Sequence, residues 1–523
     1  MEEGLAPAAH TCATRLGLAA ILLLTLLVYA GSLDNEFVHD DWPTISENQY
    51  LRDIGNLDDF FVRPGMFNKS GSSGHTRPVL LATFALNYSA GSEPRGFRAV
   101  NLALHLINVV LAFVLVRSIF SGRLPWRDAQ IASLLAAGIF AVHPLNVQAV
   151  IYISSRSVLL AFAFYVSAVL LYLHWRGRLE RSGRIAPWSL GGFLLCTGLA
   201  LLTKEHTVSI AGVLVLLEVA LYQSRRRNGW RFLATLAAGG VPVVLLLLYR
   251  SAVLGAATAA PDVVAVMHQT ALTDSFGWHL ATQAKAQLVY LLLFLWPSGL
   301  AIQHVLPQVR SLAEPAFLAG SLVAFAALVW ALPRWWRGSA PALLVLWYLC
   351  TIAPEALVQL NMIVNEHRFY LPGIALIALV ARMLLLLRGR AMVAAVCAIV
   401  LVLAARSWHY TLQWKTACTL WEHTVVISPE DSWTQNNAGN CRLLAGNLAG
   451  AEQAYRKALE LAPGNYLTLY NLGIVSERQG RPDEAIEYFE LFEKQAGRGQ
   501  SLVEIRPRIE RLRRQAARAA DPG

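Results

Sequence analysis

Long apolar runs recur through the first three quarters of this 523-residue chain. A helix needs about 20 apolar residues to cross the hydrocarbon core of a bilayer, and twelve runs approach or reach that length. With 55% hydrophobic and 15% charged residues and a mean hydropathy of +0.45, the chain lies outside the range of ordinary soluble domains. The pattern predicts an all-α, polytopic membrane protein with apolar runs at 16–33, 98–119, 129–146, 156–175, 188–203, 206–223, 231–250, 283–297, 315–332, 340–354, 367–386 and 391–407.

The basic residues predict how these runs are oriented. Most of the net charge of +10 comes from arginines in short loops between apolar runs, which is the distribution found in cytoplasmic loops and not that of a nucleic-acid-binding surface. Arginine clusters at 117–127, 176–184 and 225–231 recur after every second run. They predict a cytoplasmic N-terminus and place the loop after the first run outside the cytoplasm.

One run conflicts with this orientation. Arg334 and Arg337 are cytoplasmic only if the short run 283–297 does not cross the membrane. We interpret that run as re-entrant or interfacial, which leaves about eleven crossings and places the residues after 407 outside the cytoplasm. A cleavable signal peptide ending near Ala30 is the alternative interpretation of the first run.

Two adjacent carboxylates, Asp40 and Asp41, follow the first run at the predicted outer surface. Charged groups near the membrane are costly and mark candidate functional sites. As a structural alternative, both could cap a short helix starting near Pro43, since Asp favours the N-cap and Pro the first turn. Other polar segments are predicted on the same side, where one cavity could gather them: 34–98, 251–283, 354–372 and the turn at Lys204, Glu205 and His206.

The chain changes character after Trp408. Residues recur there at a spacing of 34, as in the pairs Pro429 and Pro463, Gly439 and Gly473, Ala451 and Ala485. This period is that of the tetratricopeptide repeat, whose small residues allow paired helices to pack closely. We predict a short repeat α-solenoid at 408–500, including a half repeat at 415–428, and a basic helix and tail at 501–523 that caps the stack.

The six cysteines are scattered and show no metal-ligand spacing. Cys418 and Cys441 could pair in an oxidising compartment. We interpret them instead as small packing residues.

Further motifs follow in order along the predicted outer face: Phe37 to Asp41 with Asn48, Arg77-Pro78, Leu86 to Tyr88, Asn101 to His105, Phe140 to Pro144, Lys204-Glu205 and Glu366 to Pro372. Together with the repeats, this order resembles the transmembrane and tetratricopeptide-repeat O-mannosyltransferases and their bacterial relatives, which are glycosyltransferases of the GT-C class. The similarity extends over nearly the whole chain. It departs at Ser154 to Ser157, where a glycine is expected before the arginine, and in the short repeat array.

The resemblance implies a GT-C-like transmembrane domain at 1–407 and a hexosyltransferase activity. Such enzymes move a sugar, here mannose or another hexose, from a polyprenyl-phosphate-linked donor to a hydroxyl acceptor on the extracytoplasmic face, with inversion. Asp40 would be the general base. Asp41 would orient the acceptor or, with Asp40, hold a divalent ion such as Mg or Mn, although the chemistry requires no cofactor.

The departing phosphate needs positive charge that is fixed in advance. The candidates are Lys204 and Arg368, then Arg77 and Arg156, with His143 and His206 as hydrogen-bond donors. Structural alternatives exist, such as a membrane anchor for Arg77 and a turn residue for His143. In supporting roles, Glu205 and Glu366 are predicted to pair with Lys204 and Arg368, and His105 and Asn101 to form interhelical hydrogen bonds.

The predicted partners are the lipid-linked donor, a protein Ser or Thr or a glycan presented through the repeats, and membrane lipids. An Ala-rich and Arg-rich composition favours a bacterial inner (plasma) membrane, with the repeats extracytoplasmic. The alternative functions are a lipid-linked saccharide transporter or polymerase, and a non-catalytic scaffold that binds partners through the repeats. Polar groups crowd the outer ends of the spans, which argues against the former, and the acid pair argues against the latter.

Overall fold

The computed structural model of the chain describes residues 6–63, 65–68, 77–184, 186–222, 229–254, 275–358, 362–496 and 501–520. These residues form an all-helical structure, as predicted, with no β-strand among them. The first part contains helices α1 Ala6–Tyr29, α2 Pro78–Ala90, α3 Pro94–Phe120, α4 Trp126–Val142, α5 Arg156–Ser182, α6 Pro187–Thr203, α7 Ile210–Leu217, α8 Gly229–Leu254, α9 Phe276–Leu295, α10 Pro315–Trp336, α11 Ala340–Leu357, α12 Tyr370–Leu384 and α13 Gly389–Gln413.

The apolar helices make the chain an integral membrane protein. Among the described residues, nine helical segments are long and apolar enough to cross a membrane, or ten if α4 and the bent continuation Pro144–Ile151 count as one span. The predicted run 188–203 forms α6, a shorter apolar helix of 17 residues. Residues 283–295 of the run 283–297 lie in α9, a continuous helix of 20 residues that is not one of the nine, and Trp296 and Pro297 follow its end. Its re-entrant or interfacial placement and the total of eleven crossings stay predictions.

The core of the membrane domain lies where α3, α4, α5 and α12 meet. The Phe140 ring packs 5.0 Å from Phe162 and 4.9 Å from Tyr370, measured between centroids. His105 bonds the Tyr370 hydroxyl at 2.7 Å and the Ala141 carbonyl at 3.0 Å. Such polar contacts hold helices together where lipid tails supply no hydrophobic driving force between them. The interhelical role predicted for His105 is therefore confirmed.

The repeats form the second part of the chain. They comprise α14 Ala417–Ile427, α15 Ser432–Leu444, α16 Leu448–Leu461, α17 Tyr466–Arg478, α18 Pro482–Ala496 and α19 Ser501–Ala520. A Cβ atom added at Gly439 would come within 2.5 Å of the Tyr455 ring, and one at Gly473 within 2.5 Å of Phe489. The recurring glycines therefore allow the two helices of each repeat to pack closely, as the 34-residue period predicts.

One prediction about the repeats is wrong. Cys418 and Cys441 are not independent packing residues, because they form a disulfide with Cα atoms 5.2 Å apart that joins α14 to α15. The helical pairing of the half repeat with the first full repeat brings the two thiols together, although 23 residues separate them along the chain.

The first repeat helices pack directly on the membrane domain. The His423 ring bonds the Leu300 carbonyl at 2.8 Å, and the Ser428 hydroxyl donates to the Gln303 carbonyl at 2.9 Å. The Glu36 backbone N–H donates to the Lys415 carbonyl at 3.0 Å. The repeats are thus anchored beside the loop that carries Asp40 and Asp41.

Candidate functional site

Arg98 fixes the loop that follows α1. Its buried guanidinium, on α3, donates to the carbonyls of Asn35 and Glu36, and its Nε donates to the Ile151 carbonyl at 3.3 Å. The loop is therefore held against the short helix Val147–Ile151. This placement determines where the two carboxylates point.

Asp41 is buried and used by the fold. Oδ1 accepts hydrogen bonds from the Ser154 N–H at 2.8 Å and the Ser154 hydroxyl at 2.7 Å, and Oδ2 accepts from the Val38 N–H at 3.3 Å. Burial raises the pKa of Asp41 to about 6, although the Ser154 hydrogen bond and Arg98 act in the opposite direction. A helix does begin at Trp42, but Asp41 makes no side-chain cap to it. The capping interpretation is therefore wrong for Asp41.

Asp40 faces outward beside a strained histidine. Its side chain is 57% exposed, and its Oδ1 lies 2.8 Å from the His39 Nδ1. Its backbone N–H donates to the Tyr152 hydroxyl at 3.1 Å. His39 has φ 50°, the one positive φ at a non-glycine residue in the described part of the chain, and such strain concentrates at functional sites. Burial of the ring would lower the pKa of His39, but the Asp40 carboxylate outweighs burial and raises it.

A second cluster lies where the turn after α6, the end of α8 and the segment between α11 and α12 converge. We call it the cation pocket: Arg77, Lys204, Arg250, Arg368, Glu205 and Glu355. Glu205 accepts from Arg77 at 3.1 Å and from Arg250 at 2.6 Å. Glu355 lies 3.1 Å from the Arg368 Nε and 3.6 Å from the His206 Nδ1. Four cations therefore share two carboxylates.

Lys204 holds the uncompensated charge of the pocket. It is 7% exposed, and its ammonium forms no ion pair or hydrogen bond with another described residue. Burial lowers the pKa of Lys204 to about 8, with Glu355 acting against that effect and Arg77 and Arg368 adding to it. An ammonium held in this way is available to an anionic ligand.

The segment 148–152 joins the acid loop to the cation pocket. At one end, Gln148 Oε1 accepts from the His367 N–H at 3.0 Å, next to Arg368. At the other end, the Tyr152 hydroxyl contacts the Asp40 N–H and lies 3.4 Å from the His39 Nδ1. The two ends are four residues apart, about 6 Å along a helix. The segment therefore contacts both the Asp40 loop and the residue next to Arg368.

Arg156, a predicted phosphate ligand, lies outside the cation pocket and has a structural role. Its buried guanidinium donates to the side-chain oxygens of Asn101 and Asn87, each at 2.9 Å, and to the carbonyls of Phe97 at 2.9 Å and Thr83 at 3.2 Å. Four of its five N–H donors are thereby occupied. Arg156 pins α2 and α3 to α5, so we do not carry it into the proposed site.

Four other predicted residues have structural partners. His143 accepts from the Leu145 N–H at 3.3 Å and bonds the Phe294 carbonyl at 3.1 Å, which is its turn-residue alternative. The predicted pairing of Glu366 with Arg368 is wrong, since Glu366 binds the Ala301 N–H at 2.7 Å and His304 at 2.9 Å. The predicted pairing of Glu205 with Lys204 is also wrong, because the Glu205 carboxylate accepts hydrogen bonds from Arg77 and Arg250 instead. Asn101 receives Arg156 and donates to the Val150 carbonyl at 3.3 Å, an interhelical role as predicted.

Sequence reasoning missed Glu355, Arg250, Arg98 and Ser154. Glu355 has a readable signal, since it is an acid within an apolar helix directly after Pro354. Arg250 is similar, being a lone cation near the end of the apolar helix α8. Arg98 and Ser154 carry no such signal, because their roles arise from contacts between distant segments.

The described residues include no group of three or more His, Cys, Asp or Glu side chains placed to hold a metal ion. Both Asp41 oxygens are engaged by N–H and O–H groups, whereas Asp40 faces His39. A metal held by the pair stays a prediction.

The helices and the site define a multi-pass membrane protein with an acid loop, a cation pocket and C-terminal tetratricopeptide repeats. A tetratricopeptide-repeat family model matches residues 430–491. The chain is 26% identical to the mouse protein O-mannosyl-transferase TMTC3 over 89% of its length and 53% of that relative. It is 33% identical to fly Tmtc2 over 38% of this chain and 21% of the relative, and 31% identical to human TMTC1 over 43% and 26%.

These similarities confirm the resemblance to the transmembrane and tetratricopeptide-repeat O-mannosyltransferases. The matches span about half or less of the length of these relatives. None of the solved structures matches the chain.

Proposed function

We propose that this protein is a membrane glycosyltransferase that moves a hexose from a polyprenyl-phosphate-linked donor to a hydroxyl of a protein acceptor. The observation that carries the proposal is that the segment 148–152 contacts both the loop of the half-exposed Asp40 and the residue next to Arg368, in a pocket where cations outnumber carboxylates. The relatives named as protein O-mannosyl-transferases support mannose as the sugar and a protein as the acceptor.

The cation pocket would receive the donor phosphate. Lys204 supplies a charge with no competing carboxylate contact, and Arg368 and Arg77 can turn from Glu355 and Glu205 toward phosphate oxygens. Charge-assisted hydrogen bonds of this kind are about twice as strong as neutral ones. A preorganised cluster also stabilises the negative charge that develops as the phosphate leaves.

An apolar groove lies next to the cation pocket, since Tyr249 lines the groove and the following residue, Arg250, belongs to the pocket. It has a volume of about 860 Å³ and is lined mainly by apolar side chains of α6 and α8. At its end, Tyr249 donates to the Phe61 carbonyl at 2.6 Å, and the next residue, Arg250, binds Glu205. A lipid chain in the groove would therefore end at the cations, which supports a lipid-linked phosphate over a soluble nucleotide sugar.

In the proposed reaction Asp40 accepts the proton of the acceptor hydroxyl. The acceptor oxygen forms a bond to the anomeric carbon as the bond from that carbon to the phosphate oxygen breaks, and the polyprenyl phosphate leaves with the electron pair. Attack from the face opposite the phosphate inverts the anomeric centre. His39, 2.8 Å from Asp40, orients the carboxylate, while Asp41 positions the loop through Ser154.

The Cys418–Cys441 disulfide supports an extracytoplasmic location for the repeats, because disulfides persist in oxidising compartments. The repeats contact the Asp40 loop, so both would lie on that side. This agrees with the orientation that the arginine-rich loops predict.

The proposal is tested by transfer of radiolabelled mannose from polyprenyl phosphate to threonine-containing peptides by the purified full-length protein. We expect label on the peptide in an O-linkage that alkali releases by β-elimination and that has the inverted anomeric configuration, and none when GDP-mannose alone is supplied. Donor binding without turnover would favour a transporter. Absence of both binding and transfer over a panel of polyprenyl-phosphate hexoses would favour the scaffold.

A further inference from the structure

Three aromatic rings surround His39, the strained residue that contacts Asp40. The Tyr152 ring, from the membrane domain, lies 6.2 Å from the His39 ring between centroids and is nearly perpendicular to it. The other two rings come from the repeats, where Trp421 of α14 lies at 5.6 Å and Trp433 of α15 at 6.5 Å. We call Trp421 and Trp433 the aromatic clamp.

The aromatic clamp is attached to both parts of the chain. Trp421 is 4% exposed and belongs to the same buried apolar cluster as residues of the membrane helices, so one continuous core joins α14 to the membrane domain. One turn before Trp421, Cys418 forms the disulfide with Cys441 that joins α14 to α15. The disulfide therefore links the two helices that carry the aromatic clamp.

His39 needs such support because its backbone is strained. A φ of 50° is unfavourable for a residue with a Cβ atom, and it persists only where the surrounding structure holds it. The His39 Nδ1 lies 2.8 Å from the Asp40 carboxylate and 3.4 Å from the Tyr152 hydroxyl, which also accepts from the Asp40 N–H. The direction of the His39 ring and the position of the Asp40 carboxylate are therefore set together.

We propose that the aromatic clamp positions the Asp40 loop, so that the repeats complete the transferase site by supporting its base. Trp421 and Trp433 act through His39 as positioning residues, because they hold its backbone in the left-handed conformation and its ring against Asp40. The inference rests on the proposed transferase activity, and it gives the repeats a role that is separate from any contact with the acceptor. The disulfide, which fastens the aromatic clamp, then affects the rate of transfer.

Trp421→Leu is the most informative variant, since it removes the clamp ring that lies closer to His39 and keeps an apolar side chain in the core. Trp421→Phe restores an aromatic face at the same position. Tyr470→Leu is the matched control, because it removes a partly buried ring of the repeats that packs on Phe489 at 5.9 Å and Phe492 at 5.5 Å. Thermal unfolding and a non-reducing gel confirm that the variants keep folded, disulfide-linked repeats.

The transfer kinetics should separate kcat from KM. We expect Trp421→Leu to lower kcat by about 10- to 100-fold with the donor KM unchanged, since a misplacement of about 1 Å costs up to about 100-fold. Trp421→Phe should recover most of the rate, and Tyr470→Leu should match wild type. In a His39→Asn background, which removes the imidazole and keeps a residue that tolerates a positive φ, Trp421→Leu should have little further effect. Such non-additivity marks a residue that acts through His39.

Hydrogen exchange gives a readout that does not depend on transfer. Several N–H groups of residues 36–44 donate to backbone carbonyls, and their exchange with solvent reports local opening of the loop. Exchange in this segment should be faster in Trp421→Leu, and in wild type after reduction of the Cys418–Cys441 disulfide. It should be unchanged in Tyr470→Leu.

Wild-type rates in folded Trp421→Leu would overturn the aromatic-clamp inference while leaving the transferase intact, whether or not the loop exchanges faster. Additive losses in the His39→Asn background would also overturn it, because Trp421 would then act outside the loop. Faster loop exchange in Trp421→Leu together with no transfer by the wild-type protein would instead overturn the proposed activity.

Discussion

The buried Arg156 and the cation pocket differ in how fully the protein supplies partners for their positive charges. Around Arg156, four N–H donors meet four uncharged oxygens from α2 and α3. In the cation pocket, three of the four positive side chains contact the two carboxylates, and the fourth, Lys204, contacts neither. A buried cation with all its partners in place serves packing, whereas an under-compensated cluster is costly unless a ligand completes it.

The adjacent carboxylates show the same contrast at closer range. Asp41 is buried, and both its oxygens accept hydrogen bonds from the protein. Asp40, one residue earlier, is more than half exposed and contacts the strained His39. Chemical type alone therefore does not separate structural from functional residues here. Structural and functional residues differ instead in how many of their polar atoms form hydrogen bonds or ion pairs within the protein.

The largest expected effect is on stability, from removing Arg156. Arg156→Met leaves buried oxygens of Asn101, Asn87 and Phe97 without a donor, and each such loss costs about 1 to 3 kcal/mol. We expect a drop of roughly 3 to 5 kcal/mol in the free energy of unfolding, measured by thermal unfolding in detergent. Lys204→Met should lose far less, because the Lys204 ammonium forms no ion pair or hydrogen bond with another described residue. Equal destabilisation by the two variants would remove the distinction between the two cation groups.

Asp41 should make stability depend on pH. Its pKa is about 6 in the folded protein against a usual value of 3.8, so the folded state binds the proton more tightly. The contribution is fully present below pH 3.8 and is lost as pH rises through 6. We expect wild type to lose up to about 3 kcal/mol relative to Asp41→Asn between pH 4 and 7. Parallel stability curves for the two proteins would contradict a buried, titrating Asp41.

Lys204→Met should weaken donor binding with little effect on folding. Loss of one charge-assisted contact costs about 1.5 to 3 kcal/mol, so we expect the donor KM to rise about 10- to 150-fold. Lys285→Met is the control, because Lys285 is paired with Glu314 at 2.6 Å outside the pocket. If both variants bind donor as wild type does, the phosphate lies elsewhere.

The pKa of Lys204 gives the smallest predicted effect. Because that pKa is about 8, the ammonium loses its proton as pH rises above 8 and its attraction for phosphate falls. The donor KM of wild type should increase up to about tenfold per pH unit above 8. Lys204→Arg, which stays charged, should show a flatter profile between pH 8 and 9.5. An identical rise in both proteins would assign the pH dependence to another group.

The sequence was sufficient where a pattern is local. Apolar length predicted the membrane helices, and the 34-residue period predicted the repeats and the close approach at Gly439. The arginine-rich loops predict that Asp40, Lys204, Arg77 and Arg368 lie on one side of the membrane, and that placement stays a prediction. What the sequence could not supply was the partner of each polar group. Arg156 and Arg368 look alike in the chain, and only the fold brings Asn101 to one and Glu355 to the other.

The central claim is that Asp40, and not its neighbour, accepts the acceptor proton. The most direct measurement is the single-turnover rate of sugar transfer by Asp40→Asn, compared with wild type and Asp41→Asn at saturating donor and peptide. Loss of a general base typically costs about 100-fold to 10,000-fold, so Asp40→Asn should lose at least that much while keeping donor affinity and thermal stability. Asp41→Asn should retain most of the rate. Near-wild-type transfer by folded Asp40→Asn, or a larger loss in Asp41→Asn, would contradict the account.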